Sequence, residues 1–281
     1  MSALSLGLVA ALCWGFHDIC VRFLSQKTPV TACIITVLTT GLIFHAGLLA
    51  IYRPQISFEV SGLSFSAISG VAFVVATFAL YYAFQRGPVK VVAPLIATFP
   101  LFSVGWAVYS GTHVTAFQWA AVIAIILGVS IVAGLSRDEA DDFPPLGPTI
   151  LLSLVASAGF AATFTTGQTA AKLIHEIPAT LITRMIAVVL TAAIILILRA
   201  KFWPGWSALP WLISMGIADG IALFSVIKAG GLPNEHYASV SSSMFGLLTI
   251  VFAWAFLKEK LTLSQWGGCL VAFAGVGYLA L

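Results

Sequence analysis

The residues able to do chemistry are few, and they lie in apolar surroundings. Trp14, His17 and Asp18 fall within one and a half helical turns, with Trp14 and Asp18 on one face at i, i+4 spacing and Arg22 a turn further on. Asp219 lies between Met215 and Ser225, followed by a glycine and with no basic neighbour in its own apolar stretch. Arg184, a turn and a half past Pro178, is its best candidate partner. An ionised group at membrane depth is costly unless it is paired or hydrated. Two readings therefore stand for each carboxylate. Asp18 either pairs with Arg22 or joins His17 in lining a wet cavity, where the acid attracts a cationic or zwitterionic ligand and the imidazole carries a proton. Asp219 either pairs with Arg184 or serves a substrate or coupling pathway, and the two roles can coexist. His45, between Ile43 and Gly47, has no evident chemistry and reads as a packed histidine.

Softer groups could complete a chamber around these residues: Tyr81 and Tyr82, the run Thr163 to Gln168 that includes Phe164, and the serines 241–243 with Ser242 at their centre. Tyrosines also anchor at the headgroup level, so packing and substrate lining both remain open for them. No phosphate loop, zinc-protease motif, nucleophile elbow or potassium-filter motif is present. The expectation is a chain without enzyme chemistry, metal or cofactor. Cys13, Cys20, Cys33 and Cys269 have neither zinc-site nor redox-pair spacing and read as small buried hydrophobes.

The elements that must position these groups are membrane helices. The 281 residues are 60% hydrophobic and 8% charged, with a mean hydropathy of +1.06, more apolar surface than a soluble core of this size can hide. The net charge of +3 is scattered, which gives nucleic-acid binding no support. Apolar windows of about 20 residues fall at roughly 3–23, 31–51, 63–84, 91–110, 115–135, 148–170, 178–198, 206–227, 236–257 and 264–281. The fold expected is an all-α polytopic membrane protein of ten transmembrane helices. The polar, proline-bearing stretch 136–147 divides it into a first five-helix repeat, 1–135, and a second, 148–281. Five spans per half require the halves to enter the membrane from opposite sides, as an inverted repeat.

A shift of 147 residues lays Thr262, Gln265, Trp266 and Gly275 over Thr115, Gln118, Trp119 and Gly128, consistent with an internal duplication. Pro94 then coincides with Ser241, and Glu259 falls on Thr112. Glu259, between Lys258 and Lys260, together with Gln265, Trp266 and Gly267, reads as a structural hairpin that fixes a turn and its membrane depth. Glycines 128, 134, 267, 268, 275 and 277 suit close contact between the fifth and tenth helices or within a dimer. Orientation is contested. With a cytoplasmic N-terminus, inside loops hold 3 basic residues (Arg53, Lys172, Lys228) and outside loops 9 (Arg22, Lys27, Arg86, Lys90, Arg137, Arg199, Lys201, Lys258, Lys260), the reverse of the positive-inside rule.

The stretch from Ala11 to Gly15, the hairpin from Phe256 to Gly268, and Ala274 to Val276 resemble the drug/metabolite transporter superfamily, specifically its ten-helix EamA-type branch. The resemblance covers essentially the whole chain. It implies a basket-like inverted repeat in a bacterial inner membrane, with both ends cytoplasmic. Its central cavity would be lined by helices one, three, four, six, eight and nine, which here carry Trp14, Asp18, Tyr81, Tyr82, Phe164, Asp219 and Ser242. It further implies export of amino acids, other metabolites or drugs. The expectation is a secondary transporter working by alternating access on a small amphiphilic molecule, driven by protons or by the substrate's own gradient. Its other partners are lipid, and it stands as a monomer or weak dimer. An importer, exchanger or multidrug exporter of the same fold is the alternative, and a channel or membrane scaffold is a more distant one. Thr112, where such families often carry glutamate, implies that the hairpin carboxylate is not required twice.

Overall fold

The structure is a computed structural model describing residues 2–54, 59–102, 105, 115–135, 144–232, 236–258 and 261–279. Glu259, Lys260, Thr112 and the charged part of the 136–147 stretch lie outside the described residues. Among those described there are helices and no strands. The first half holds α1 (Ala3–Leu24), α2 (Val30–Tyr52), α3 (Val60–Arg86), α4 (Val89–Ile96) and α5 (Ala116–Leu135). The second holds α6 (Leu146–Ile174), α7 (Glu176–Leu198), α8 (Leu209–Ala229), α9 (His236–Ser243), α10 (Phe245–Phe252) and α11 (Leu263–Leu279). Six of them, α1, α2, α3, α6, α7 and α8, are long and apolar enough to cross a bilayer. Only Met244 separates α9 from α10, which together make the ninth span and end in a π turn, Ala253–Leu257.

Several hydroxyl side chains are tolerated inside these helices because they bond to the backbone one turn back. Thr40 donates to the Thr36 carbonyl, Ser66 to Gly62, Thr163 to Gly159 and Ser225 to Ile221, at 2.7–2.9 Å. Their polarity is thus satisfied without water. Large aromatics mark the ends of the spans. Trp203 and Trp206, edge to face in the connection from α7 to α8, are both exposed, as suits rings at the headgroup level.

The packing has the symmetry of the duplication. α1 packs on α8, as α6 packs on α3; α1 packs on α9 and α10, as α6 packs on α4; α2 packs on α8, as α7 packs on α3. Each pairing becomes the next under the 147-residue shift, and each joins one half to the other. The halves interleave, and neither encloses a core of its own. Helix breaks coincide as well: the fourth span turns at Ala97–Thr98, and its equivalent turns at Met244.

α5 and α11 pack antiparallel on small residues. A Cβ at Gly128 would stand 2.5 Å from the Gly268 carbonyl, and one at Gly275 would stand 2.8 Å from the Ala121 carbonyl. The shift exchanges these two contacts, as a two-fold axis between the halves requires. Gly267 and Gly277, equally small, face no neighbour among the described residues.

Candidate functional site

His17, Asp18, Tyr81 and Asp219 converge on one cavity between the halves. α1 brings Trp14, His17 and Asp18, α3 brings Phe73 and Tyr81, α6 brings Phe160 and Phe164, and α8 brings Asp219. The two helix breaks add one ring each, Phe99 and Phe245. The side chains leave only a water-sized opening of about 20 Å³ between them.

Asp219 is fully engaged. The Trp14 Nε1–H donates to its Oδ1 at 3.0 Å, and Arg184 Nη1 donates to its Oδ2 at 2.7 Å. The guanidinium lies between the Phe73 ring, 4.6 Å from Cζ, and the backbone of α2, where a Cβ at Gly41 would come within 3.2 Å. That placement hides Arg184 completely and keeps it off the cavity wall. Its Nε and Nη2 have no partner among the described residues.

A second set sits one turn along α1. His17 Nδ1 lies 2.9 Å from Asp18 Oδ1, and its Nε2 lies 3.1 Å from the Tyr81 hydroxyl. With neutral histidine the order is Tyr81 O–H to Nε2 and Nδ1–H to Asp18. When the ring is charged, it donates at both ends. Asp18 Oδ2 is buried with no partner among the described residues. Arg22 is committed elsewhere: its Nη1 donates to the Phe84 and Gln85 carbonyls at 2.8 and 3.3 Å. The carbonyls at the end of α3 carry the negative end of a helix dipole and draw a cation.

His45 also joins this neighbourhood from α2, donating from Nε2 to the Gly220 carbonyl at 3.1 Å, beside Asp219. A carbonyl only accepts, so Nε2 bears the proton and Nδ1 is left as a buried lone pair without partner among the described residues.

Of the residues singled out from sequence, the fold gathers Trp14, His17, Asp18, Tyr81, Phe164 and Asp219 around the cavity. Tyr82 is turned outward beside Phe78, 37% exposed. Ser242 is fully buried in α9 and does not line the cavity. Sequence reading missed the rings Phe73, Phe99 and Phe245 as lining. Phe160 and Phe164 at i, i+4 spacing offered a signal, and their rings stack 5.8 Å apart. His17 and Phe164 are equivalent positions 147 residues apart, so a symmetric frame holds asymmetric chemistry. Among the described residues no group of three His, Cys, Asp or Glu could hold a metal.

The closing hairpin has a local cause. The Thr262 N–H donates to Gln265 Oε1 at 2.9 Å and the Gln265 N–H to Thr262 Oγ1 at 3.2 Å, a reciprocal capping box at the start of α11. Thr-x-x-Gln is the sequence signal for it, and Thr115 to Gln118 repeats the spacing. Trp266 is half-buried and Gly267 exposed beside it. Gln265→Ala should therefore destabilise the protein by about 0.5–2 kcal/mol and Gln265→Glu by much less, measured by unfolding in detergent micelles.

The sequence profile of the EamA-like transporter family matches residues 1–134 and again 147–281. The chain belongs to the EamA-like transporter family. The family is one of membrane transporters, so this is a multi-pass membrane protein acting on a small molecule. An uncharacterised protein of Methanocaldococcus jannaschii is 26% identical over 133 residues, which are 96% of that protein and 47% of this chain. That relative is thus about the length of one repeat. A solved crystal structure, titled only as that of a protein, superposes with a TM-score of 0.75 at 14% identity, over 99% of this chain and 97% of that one. It shares the fold of this EamA-family chain.

Proposed function

We propose that this EamA-family chain is a secondary transporter, not an enzyme, that exports small amphiphilic metabolites, amino acids or related compounds, by alternating access. The observation that carries this reading is the cavity of buried ionisable and aromatic groups at the seam between two interleaved halves. Its helices are tied at both faces of the membrane. On one, Arg22 and Gln26 of the first span and its exit reach the carbonyls ending α3, and Gln85 reaches back to the Ser25 carbonyl at 2.9 Å. On the other, Gln168 of α6 donates to the Val226 carbonyl of α8 at 3.0 Å, and Lys228 pairs with Glu176 at 3.4 Å. Releasing one set while the other holds would open the cavity to one side at a time.

The domain division carried forward is 1–135 and 148–281 around the stretch 136–147, in a monomer or weak dimer of a bacterial inner membrane with both ends cytoplasmic. Two of the nine basic residues that oppose this orientation have structural duties: Arg22 is bonded to α3, and Lys90 is buried in α4. Their weight in a loop count falls accordingly. A thiol reagent that cannot cross the membrane should label a single cysteine placed in 136–147 from outside intact cells; labelling from the cytoplasmic side alone would reverse the orientation.

Protons are the candidate coupling ion, through the chain of Tyr81, His17 and Asp18. The charged and titratable groups around it are Asp219 from α8, Arg184 from α7, His45 and Cys33 from α2, and Cys20 from α1. Reconstituted in liposomes with an imposed pH gradient and a substrate panel, the protein should show saturable flux with counterflow. Linear flux without counterflow would make it a channel. Asp219→Asn, with fold checked, should lose pH-dependent flux by at least about tenfold, as removal of an interaction worth about 1.4 kcal/mol does; unchanged flux would free Asp219 of any functional part.

A further inference from the structure

The two carboxylates at the cavity have different partners. Both oxygens of Asp219 are taken, and its charge is matched by Arg184. Asp18 is 1% exposed and lines the cavity, with Oδ1 held by His17 and Oδ2 without a partner among the described residues. With His17 neutral and Asp18 ionised, the cavity wall has one unmatched negative charge. A buried acceptor of this kind calls for a donor or a positive charge. Among the described residues no basic side chain on the wall supplies it, since the guanidinium lies behind the Phe73 ring.

Aromatic rings make up much of the remaining wall, with Val37, Leu38, Leu80 and the Thr77 side chain beside them. The Trp14 and Phe164 rings stack 5.2 Å apart, the Phe99 edge meets Phe164 at 5.3 Å, and Phe245 stands edge-on to Trp14 at 6.0 Å. Ring faces are the negative part of an aromatic quadrupole. They attract a cation once water is excluded, and flat apolar groups slide between them. A ligand carboxylate, by contrast, would meet Asp18 and ring faces, with no exposed donor of positive charge to receive it.

We propose that this cavity binds a small organic ammonium ion that carries a flat apolar group and no carboxylate, its positive charge seated on Asp18 Oδ2. This rests on the transporter reading above and narrows its ligand from amino acids to amines. The opening between the rings admits only a small molecule, and the rings must part by a rotamer step to receive it.

The test uses purified full-length protein in detergent at pH 8 in an amine-free buffer. Three probes share a phenyl group: phenethylammonium, zwitterionic phenylalanine and anionic 3-phenylpropanoate. Affinity is read from the ligand-dependent rise in melting temperature. Phenethylammonium should stabilise the protein saturably and bind at least about tenfold more tightly than the other two, a difference of about 1.4 kcal/mol. Asp18→Asn, which keeps the side-chain shape, should lose at least that factor for the ammonium alone, and Asp18→Glu should keep most of it. If Asp18→Asn fails to fold, Phe164→Leu serves in its place, since loss of a ring face should weaken the ammonium more than the anion.

Equal or tighter binding of phenylalanine or the anion would overturn the ligand class. Counterflow of phenylalanine in liposomes would then leave the transporter reading standing. Ammonium binding without counterflow of any probe would uphold the site and sink the transporter reading. Absence of binding by all three probes would overturn the proposal.

Discussion

Arg184→Ala is expected to cost the folded protein about 3–5 kcal/mol. Its guanidinium is completely buried, bonds to Asp219 at 2.7 Å and lies against Phe73. Removing it leaves a carboxylate in an apolar interior with only the Trp14 indole as donor. Asp219→Asn should be costly for the opposite reason, because it strands the guanidinium while keeping an acceptor for Trp14. A double variant, Arg184→Met with Asp219→Asn, removes both charges, and its loss should fall well short of the sum of the two single losses. Reversible unfolding in mixed micelles measures all three. If the single losses simply add, the two residues are not acting as a pair, and the account of Asp219 as an internally neutralised group is wrong.

The second large effect lies far from the cavity, where α5 meets α11. Gly128→Val should destabilise the protein by about 1–3 kcal/mol or more, because the new Cβ would meet the Gly268 carbonyl at 2.5 Å and the Ala272 nitrogen at 2.6 Å. Both are backbone atoms and cannot rotate out of the way. Gly275→Val should behave alike against the Ala121 carbonyl, being the same contact seen from the other half. Gly277→Val is the internal control: among the described residues nothing lies within 4 Å of its would-be Cβ, and the expected change is within about 0.5 kcal/mol. Among the described residues none of α5 or α11 lines the cavity, so ligand affinity per folded molecule should be unchanged in all three. An equal loss at Gly277 would mean that helix propensity, not the close approach, sets the effect.

What hydropathy could and could not reveal follows from what it measures. The windows near 31–51, 115–135 and 178–198 meet helices Val30–Tyr52, Ala116–Leu135 and Glu176–Leu198 within a few residues, since a bilayer demands long apolar runs of any sequence that crosses it. The charged residues of the site were legible for the same reason: Asp18, Arg184 and Asp219 are too costly in such runs to be incidental. The aromatic wall was not. Phe99 is 2% exposed and faces the cavity, whereas Phe102, three residues on, is 39% exposed. Both rings satisfy a hydropathy scale equally. The partner of His45 was beyond reach too, because the Gly220 carbonyl is 175 positions away and belongs to the other half. Arg22 lay at the right spacing for Asp18 on one helix, yet the carbonyls ending α3 outcompete it, and local periodicity is blind to a neighbour 62 residues distant.

The interleaving of the halves bears on how such a chain comes to be made. α1 finds its main partners in α8, α9 and α10, all synthesised after the whole first half is in place. Until then His17 and Asp18 sit in a helix that has entered the bilayer without the walls that later enclose them. The early helices must therefore be sheltered by the insertion machinery, or wait as loosely associated spans, until the last third of the chain emerges. Assembly of this protein is thus a late event, governed by the arrival of its C-terminal helices more than by the folding of its first.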